Sequence, residues 1–189
     1  MTSPQPSHPL TEKKPPLRHP GIAASSAYFD LRSTPIGSIR IFAAASGLTR
    51  IQISPPKLPP APASACLPEV ERLLREAASQ LERYLAGSLR VFNLPVDLSP
   101  LTPFQRRVLE ECCRIPYGQT ASYNDLAVRL ASPGAARAVG GALKRNPLPL
   151  VIPCHRVIAA NGRLGGFSAG EGLDTKLLLL SIEGVRIVA

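Results

Sequence analysis

The sequence lacks features that several large classes of protein need. It has no tryptophan and only 5% aromatic residues, so its core has to consist mainly of Leu, Val, Ile and Ala. Its four cysteines form no Cys-x-x-Cys pair and no Cys/His spacing typical of zinc sites, so we expect no metal and no cofactor. No apolar run approaches membrane-spanning length, and the N-terminus has no apolar signal-peptide region. We therefore expect a cytoplasmic protein with reduced thiols.

Positive charge is abundant and concentrated. The formal net charge is +9, and between Pro103 and Arg163 nine basic residues stand against three acidic ones. Such an excess favours a polyanionic partner, nucleic acid first, although a generally basic surface would give the same count. Charge alone leaves both possibilities open.

The first half of the chain predicts a tail and a small α/β domain. Residues 1–25 are rich in Pro, Ser and Lys and predict a flexible tail. Alternating apolar residues then predict three short antiparallel strands: Tyr28–Leu31, Ser38–Phe42 and Leu48–Ile53. A Pro-rich loop over 55–68 follows, and the apolar spacing over 69–86 predicts an amphipathic helix that Gly87 ends. We place this N-terminal domain at 26–98.

Residues 99–189 predict a mostly helical second domain. Thr102 can cap a helix that has Pro103 at its first position. Ser122 can cap a second helix, and a Pro-Gly turn leads to a third helix over 135–144. Two short helices joined by a tight turn have the outline of a helix-turn-helix. The expected fold class is therefore α+β, with a small antiparallel sheet and its helix followed by a helical domain.

The third of these helices carries small side chains. A helix that reads base edges in the major groove normally exposes Asn, Gln, Arg or Lys. Here small residues allow close approach without base reading, and Arg137 is a long side chain near the start of the helix. The small residues are Ala135, Ala136, Ala138, Gly140 and Gly141. Such a helix fits the minor groove of DNA or packs closely on a neighbouring helix, and both can hold for opposite faces.

One motif carries reactive chemistry: Ile152-Pro153-Cys154-His155-Arg156-Val157, at the end of an apolar run. The run predicts a strand-like segment that brings a thiol to a pocket, and the glycines after it leave room for a ligand. A nearby cation or proton acceptor turns a thiol into the nucleophilic thiolate. Because free cysteine is also among the most buried residue types, the motif by itself leaves a structural thiol equally open.

Several segments, in order along the chain, resemble one family. They are Ile115–Tyr123, Ala136–Ala142, Asn146-Pro147, Ile152–Ile158, Gly165–Gly170 and Ile182–Gly184. These segments resemble the O6-alkylguanine-DNA alkyltransferase (methylated-DNA–protein-cysteine methyltransferase) family. The resemblance is specific over 103–185, whereas over 27–96 it depends mainly on the order of strands and helix. It implies a ribonuclease H-like N-terminal domain and a bacterial, nucleoid-associated protein.

The resemblance also implies a reaction and a set of site residues. Cys154 would accept the alkyl group of O6-alkylguanine, and less well that of O4-alkylthymine, from double-stranded DNA. His155 would take the thiol proton through a water, and Glu183 would orient His155. Asn146 would brace the turn before the cysteine, and Tyr123 would donate a hydrogen bond to a guanine ring nitrogen.

The same resemblance implies how the base and the DNA are held. Ser168 would face the guanine oxygen, and Phe167 would form a pocket wall. The carbonyls of Cys154 and Val157 would accept from the exocyclic amine. Arg137 would fill the gap that the flipped nucleotide leaves in the stack. Since nothing in the sequence could cleave the resulting thioether, each protein molecule would act once. The resemblance also implies a monomer and leaves cooperative binding along DNA open.

The chain departs from the family at some positions, and its residues argue against two other functions. Phe167 stands where the family often has Tyr, and the stretch 173–182 lacks the usual Trp. A DNA-binding relative without chemistry would lack the thiol, but Cys154 is present. A cysteine hydrolase would need a histidine in contact with the thiol, whereas neighbouring residues of an extended segment point to opposite faces. The remaining histidines, His8 and His19, lie in the tail.

Overall fold

The computed structural model describes residues 27–54 and 67–187. Its strands are β1 (Ala27–Thr34), β2 (Gly37–Ala44), β3 (Gly47–Ser54), β4 (Ala121–Ser122) and β5 (Val157–Ile158). Its helices are α1 (Pro68–Leu85), α2 (Pro103–Cys113), α3 (Tyr123–Arg129), α4 (Ala136–Lys144) and α5 (Leu173–Ile182). The predicted tail and most of the predicted Pro-rich loop lie outside the described residues. In the described part, no helix is long and apolar enough to cross a membrane.

The N-terminal sheet is an antiparallel meander in the order β1-β2-β3. Ile39 pairs with Ile53 and Ile41 with Ile51, so alternate positions place isoleucines on one face of the sheet. Helix α1 covers that face with buried residues, among them Val70, Leu74, Ala77 and Leu81. Each large apolar side chain buried in this way stabilises the fold by about 1.5–3 kcal/mol.

The residues at the two ends of α1 explain where the helix begins and ends. Each end lies one position before the predicted one. Pro68 occupies the first turn, where its missing N–H is not needed. Gly87 follows the helix with φ +72°, a left-handed conformation that glycine adopts without strain. The chain then runs beside β3, where Leu48 N donates to Pro95 O and Asp97 N donates to Leu48 O, both at 2.8 Å.

Both predicted helix caps are present. Thr102 Oγ1 accepts from Gln105 N at 3.3 Å, and Ser122 Oγ accepts from Asp125 N at 3.0 Å. The Gln105 and Asp125 side chains each accept from the backbone N–H of their cap residue, so α2 and α3 both begin with a capping box. A cap contributes about 1 kcal/mol to helix stability. Helices α2, α3 and α4 pack against one another.

The segment before Cys154 is not a strand, so that prediction is wrong. Ile152 N donates to Leu148 O at 2.8 Å across a tight turn in which Leu150 has φ +72°. Cys154–Arg156 then form a single 3₁₀ turn. Prolines at positions 147, 149 and 153 supply no N–H for a sheet ladder, so the apolar run is buried as a compact turn. Regular pairing begins only after it, where β5 runs parallel to β4.

One hydrophobic core joins the sheet, α1 and the C-terminal helices. A small antiparallel sheet with its helix is followed by a mostly helical region, so the predicted α+β class is confirmed. The domain limits at 26–98 and 99–189 stay a prediction.

Candidate active site

Cys154 lies at the start of the 3₁₀ turn and lines a cavity. The residue is 9% exposed, and the cavity has a volume of about 340 Å³. The lining residues are Tyr123, Gly140, Leu143, Lys144, Cys154, Gly166, Phe167 and Ser168. A larger cavity of about 740 Å³ lies between the segment 90–99 and the back of the same turn, but Cys154 does not line it. The smaller cavity is the candidate site, because it combines a nucleophile with room for a small ring system.

Asn146 holds both the thiol and the turn before it. Its Nδ2 lies 3.1 Å from Cys154 Sγ and 2.9 Å from Ile152 O, and its Oδ1 accepts from Leu148 N at 3.0 Å. Burial raises the pKa of Cys154, while the bond from Asn146 and the charge of Lys176 act to lower it. The resting residue is therefore a thiol that needs a base, next to groups that stabilise its thiolate.

His155 is fully buried and is held at one ring nitrogen. Nε2 lies 2.8 Å from Glu183 Oε1 and 3.1 Å from Tyr84 Oη. Within the described residues, Nδ1 has no hydrogen-bond partner. Burial lowers the pKa of His155, and Glu183 opposes that effect only in part. His155 is therefore a neutral imidazole at neutral pH, able to accept a proton at Nδ1.

Arg156 folds back and pairs with the same carboxylate. Its Nε lies 3.0 Å from Glu183 Oε2 and its Nη2 lies 2.9 Å from Oε1, so the planar guanidinium meets both oxygens. Its Nη1 donates to Ile115 O at 2.7 Å. Burial acts to raise the pKa of Glu183, but the bonds from His155 and Arg156 prevail and lower it to about 2. Glu183 is thus an anion that already has a cationic partner while His155 is neutral.

A second buried cation lies close to the site. Lys176 Nζ, in α5, donates to Val157 O at 2.6 Å, to Gly166 O at 3.4 Å and to the carbonyl of Leu164. Burial lowers the pKa of Lys176 to about 8. Lys176 therefore ties the segment 157–166 to α5 and favours the thiolate of Cys154.

Tyr123 and a glycine-containing loop form the wall of the cavity. Tyr123 Oη donates to Gly166 O at 3.3 Å. Gly165 has φ +66°, and a Cβ placed on it would lie 2.9 Å from the Tyr123 ring, so this position favours glycine and a side chain here would displace Tyr123. Ser168 Oγ donates to Lys144 O at 3.1 Å, which links the loop to the end of α4.

Helix α4 lines the cavity with Gly140, Leu143 and Lys144, and the other small residues predicted to approach DNA are partly or fully exposed. Its buried face, formed by Val139, Ala142 and Leu143, packs on its neighbours. Arg137 and Ala138 are exposed. The remaining small residues are half-buried: Ala135, Ala136, Gly140 and Gly141. Close packing therefore holds for one face, and the other is accessible to a partner next to Cys154.

Most of the predicted site residues meet around one thiol. Those brought together are Cys154, His155, Asn146, Glu183, Tyr123, Phe167 and Ser168. Val157 is fully buried directly after the 3₁₀ turn and does not line the cavity. Arg137 lies apart, on the surface of α4. In residues 27–54 and 67–187, no group of three or more His, Cys, Asp or Glu side chains could hold a metal ion.

Three contributions to the site were not predicted from the sequence. They are the contact of Tyr84 with His155, the pairing of Arg156 with Glu183 and the buried Lys176. A lysine directly before the run of four leucines in α5 was a signal of a buried cation. Nothing local connects Tyr84 with His155, since 71 positions separate them.

Two family descriptions match the chain. The 6-O-methylguanine DNA methyltransferase, DNA binding domain, matches residues 103–185, and the 6-O-methylguanine DNA methyltransferase, ribonuclease-like domain, matches residues 27–98. A methylated-DNA–protein-cysteine methyltransferase of Mycobacterium leprae is 44% identical over 155 residues, which cover 82% of this chain and 91% of that protein. The chain belongs to the 6-O-methylguanine DNA methyltransferase family.

Other relatives and solved structures agree with this family. A methylated-DNA–protein-cysteine methyltransferase of Methanosarcina barkeri is 42% identical over 158 residues, covering 82% of this chain and 96% of that protein. The crystal structure of Mycobacterium tuberculosis OGT in complex with DNA is similar with a TM-score of 0.70 at 38% identity, covering 83% of this chain and 92% of that chain. The family predicted from the sequence is confirmed.

Proposed function

We propose that this chain repairs double-stranded DNA by transferring the alkyl group of O6-alkylguanine to Sγ of Cys154. The proposal is carried by the position of the thiol, in a cavity of about 340 Å³ beside the accessible face of α4. The comparisons support it, since two relatives are named methylated-DNA–protein-cysteine methyltransferases and the similar Mycobacterium tuberculosis OGT is crystallised in complex with DNA. O4-alkylthymine is the expected poorer substrate.

The first step converts the Cys154 thiol into its thiolate. Because burial raises the pKa of Cys154, a base has to take the proton. His155 Nδ1 accepts it through one water, because Nε2 is engaged by Glu183 and successive side chains of a 3₁₀ turn diverge. The Lys176 ammonium and the Asn146 amide then stabilise the negative sulfur.

The transfer itself is a displacement at the alkyl carbon. The bond from Sγ to that carbon forms while the bond from the carbon to O6 breaks, and guanine leaves with the electron pair. The proton released by Cys154 balances the proton that guanine regains at a ring nitrogen. Tyr123 Oη donates toward the ring and reduces the charge on the leaving base. Burial raises the pKa of Tyr123, which keeps its hydroxyl protonated for this task.

The resemblance assigns main-chain partners to the other edges of the base. The carbonyls of Cys154 and Val157 each accept one hydrogen bond already, from Val157 N and from Lys176 Nζ. A carbonyl oxygen has two lone pairs, so each can also accept from the exocyclic amine. Because Ser168 Oγ donates to a carbonyl of α4, the backbone N–H of Ser168 is the group assigned to the guanine oxygen. Phe167 forms an apolar wall.

Helix α4 enters the minor groove, and the damaged nucleotide flips into the cavity. The small residues allow close approach, and Arg137 fills the gap in the stack, offsetting part of an unstacking cost of a few kcal/mol. The excess of basic residues over 103–163 supports binding to the phosphate backbone. The protein acts as a monomer in the cytoplasm, associated with the nucleoid.

Each molecule acts once. The product is a thioether at Cys154, and neither an imidazole nor a carboxylate cleaves a carbon–sulfur bond of that kind. The alkylated cysteine therefore does not return to a thiol, and the amount of repair equals the amount of protein.

Incubation with a duplex oligonucleotide that carries O6-methylguanine tests the proposal. The intact mass should rise by one CH₂ group, located at Cys154, and the reaction should stop at one equivalent. Cys154→Ala should bind the duplex but transfer nothing, whereas Cys113→Ala, which removes an exposed thiol, should transfer normally. Repeated turnover, or transfer by Cys154→Ala, contradicts the proposal.

A further inference from the structure

Tyr84 reaches the site from the other half of the molecule. It lies at the end of α1, which packs on the N-terminal sheet, and it is completely buried. Its hydroxyl lies 2.7 Å from Glu183 Oε1 and 3.1 Å from His155 Nε2. One hydroxyl from the N-terminal region thus touches two of the residues assigned to activating Cys154.

The direction of these bonds follows from the groups involved. Ionised Glu183 can only accept, so the Tyr84 hydroxyl donates to Oε1. The phenol oxygen is then left as an acceptor toward His155. Nε2 is therefore surrounded by two acceptors, Tyr84 Oη and Glu183 Oε1, and has to carry the hydrogen. In neutral imidazole only one nitrogen is protonated, so Nδ1 keeps its lone pair.

We propose that Tyr84 is a positioning residue for alkyl transfer: together with Glu183 it fixes the Nε2–H tautomer and the ring plane of His155, so that Nδ1 accepts the thiol proton. The inference rests on the proposed transfer to Cys154, because it explains how the base of that reaction is prepared. It makes the N-terminal region part of the active site.

The Tyr84 hydroxyl is not needed merely to satisfy the carboxylate. Glu183 already accepts from Arg156 at 2.9–3.1 Å and from Gly118 N at 3.0 Å. A further donor on Oε1 draws electron density from the carboxylate and weakens its attraction for a protonated His155. The Tyr84 hydroxyl therefore also keeps His155 neutral, in a field set by the charges of Glu183, Arg156 and Lys176.

Removing this hydroxyl alone gives a specific test. Tyr84→Phe keeps the ring that packs on Phe92 and Tyr117, at centroid distances of 5.1 and 6.3 Å. Tyr117→Phe is the matched control, since its hydroxyl donates to Ile182 O at 2.9 Å, next to Glu183 in the chain. Both variants lose one hydrogen bond at the same helix end, but only Tyr84→Phe changes the partners of His155.

The first readout is the ¹⁵N spectrum of the histidine ring as a function of pH. The chain has three histidines, so His8→Gln and His19→Gln leave His155 as the single signal. We expect protonated Nε2 in the parent and in Tyr117→Phe. In Tyr84→Phe we expect Nε2 to stay protonated, because Glu183 Oε1 still accepts from it at 2.8 Å. The His155 titration should be higher by about half a pH unit, because Glu183 then holds an imidazolium more strongly.

The second readout is the single-turnover rate of alkyl transfer. Tyr84→Phe should transfer roughly five to tenfold more slowly at neutral pH, with its acid limb shifted upward in parallel with the titration. Tyr117→Phe should match the parent in both respects. Equal rates and equal titrations in the two variants overturn the proposal.

Two further outcomes separate the possible failures. If the parent shows Nδ1 protonated in its neutral form, the role of Tyr84 is wrong, and no variant has to fold for that result. If the parent transfers no alkyl group while the His155 titration responds to Tyr84→Phe, the proposed function fails, and the effect of Tyr84 on His155 is still established.

Discussion

At the residue scale, the pairing of Arg156 with Glu183 determines what kind of base His155 is. A carboxylate that has only a histidine as its partner strongly stabilises the imidazolium formed during catalysis. Here a guanidinium meets both oxygens of Glu183 at 2.9–3.1 Å, so much of that charge is already balanced. Burial further disfavours a charged His155. In the proposed reaction, His155 would therefore hold the proton from Cys154 weakly and pass it on readily.

This environment predicts an acid limb at unusually low pH. The pKa of His155 is lowered from its ordinary value of 6.5, so the base stays neutral as the pH falls through 6.5 and is lost only below it. Single-turnover transfer rates from about pH 5 to pH 9 should be flat through that value. His155→Gln should lack this limb and react roughly a hundredfold more slowly. A rate that is already halved at pH 6.5 contradicts this assignment of the base.

At the element scale, the loop between β5 and α5 forms the cavity wall through its backbone. Gly165 and Gly162 both have positive φ, +66° and +79°, but only a side chain at Gly165 would strike the Tyr123 ring. Gly165→Ala and Gly162→Ala should therefore each lose about 1 kcal/mol of stability from backbone strain. Only Gly165→Ala should also displace Tyr123 and slow transfer. Unfolding curves and transfer rates separate the two effects, and equal rates would show that the contact with Tyr123 is unimportant.

Helix α4 predicts a different behaviour for DNA and for the free base. Arg137 is exposed on α4 and does not line the cavity, so it can act on DNA without contacting the reacting atoms. Arg137→Ala should slow repair in duplex DNA by roughly tenfold or more, because the unstacked gap is no longer filled. Its reaction with free O6-alkylguanine should be unchanged. Arg72→Ala is the control, because it removes the same positive charge from an exposed position of α1. An equal loss of repair rate in Arg72→Ala would show that Arg137 acts only through the net charge of the protein.

The elements differ in how well the sequence predicts them. Thr102, Ser122 and Gly87 act on neighbouring residues, and each marks its helix end correctly. The strands follow from alternation, which is also local. The run before Cys154 misled because apolar composition alone does not separate a buried strand from a buried turn. The prolines at 147, 149 and 153 were the better signal.

At the scale of the whole molecule, the contacts that complete the site are long-range. The motif around Cys154 indicates the nucleophile and its neighbours, and the resemblance supplies Glu183 and Asn146. Tyr84 lies 99 positions before Glu183, and no periodicity or cap reports on such a pair. The pairing exists only because α1 packs on the sheet and presents its last turn to the end of α5. The local motifs therefore predict the residues around Cys154 but not the contribution of Tyr84 from the N-terminal region.

The same long-range contacts predict how stability depends on pH. Glu183 is buried and receives bonds from Tyr84, His155 and Arg156, and its pKa is lowered from 4.5 to about 2. A carboxyl with a lowered pKa in the folded state stabilises the fold fully above pH 4.5, and this contribution is lost as the pH falls from 4.5 toward 2. Acid should therefore weaken the contact between the ends of α1 and α5, which Tyr84 and Glu183 form.

Glu183→Gln makes this contribution measurable. The variant leaves the Arg156 guanidinium buried without its anion, which should cost about 3–5 kcal/mol at neutral pH. Urea unfolding at a series of pH values should show that the difference from the parent shrinks below pH 4.5, as the parent protonates. Glu110→Gln, at an exposed position of α2, should stay within about 0.5 kcal/mol of the parent throughout. A difference that persists unchanged to about pH 3 would mean that Glu183 acts through packing rather than through its charge.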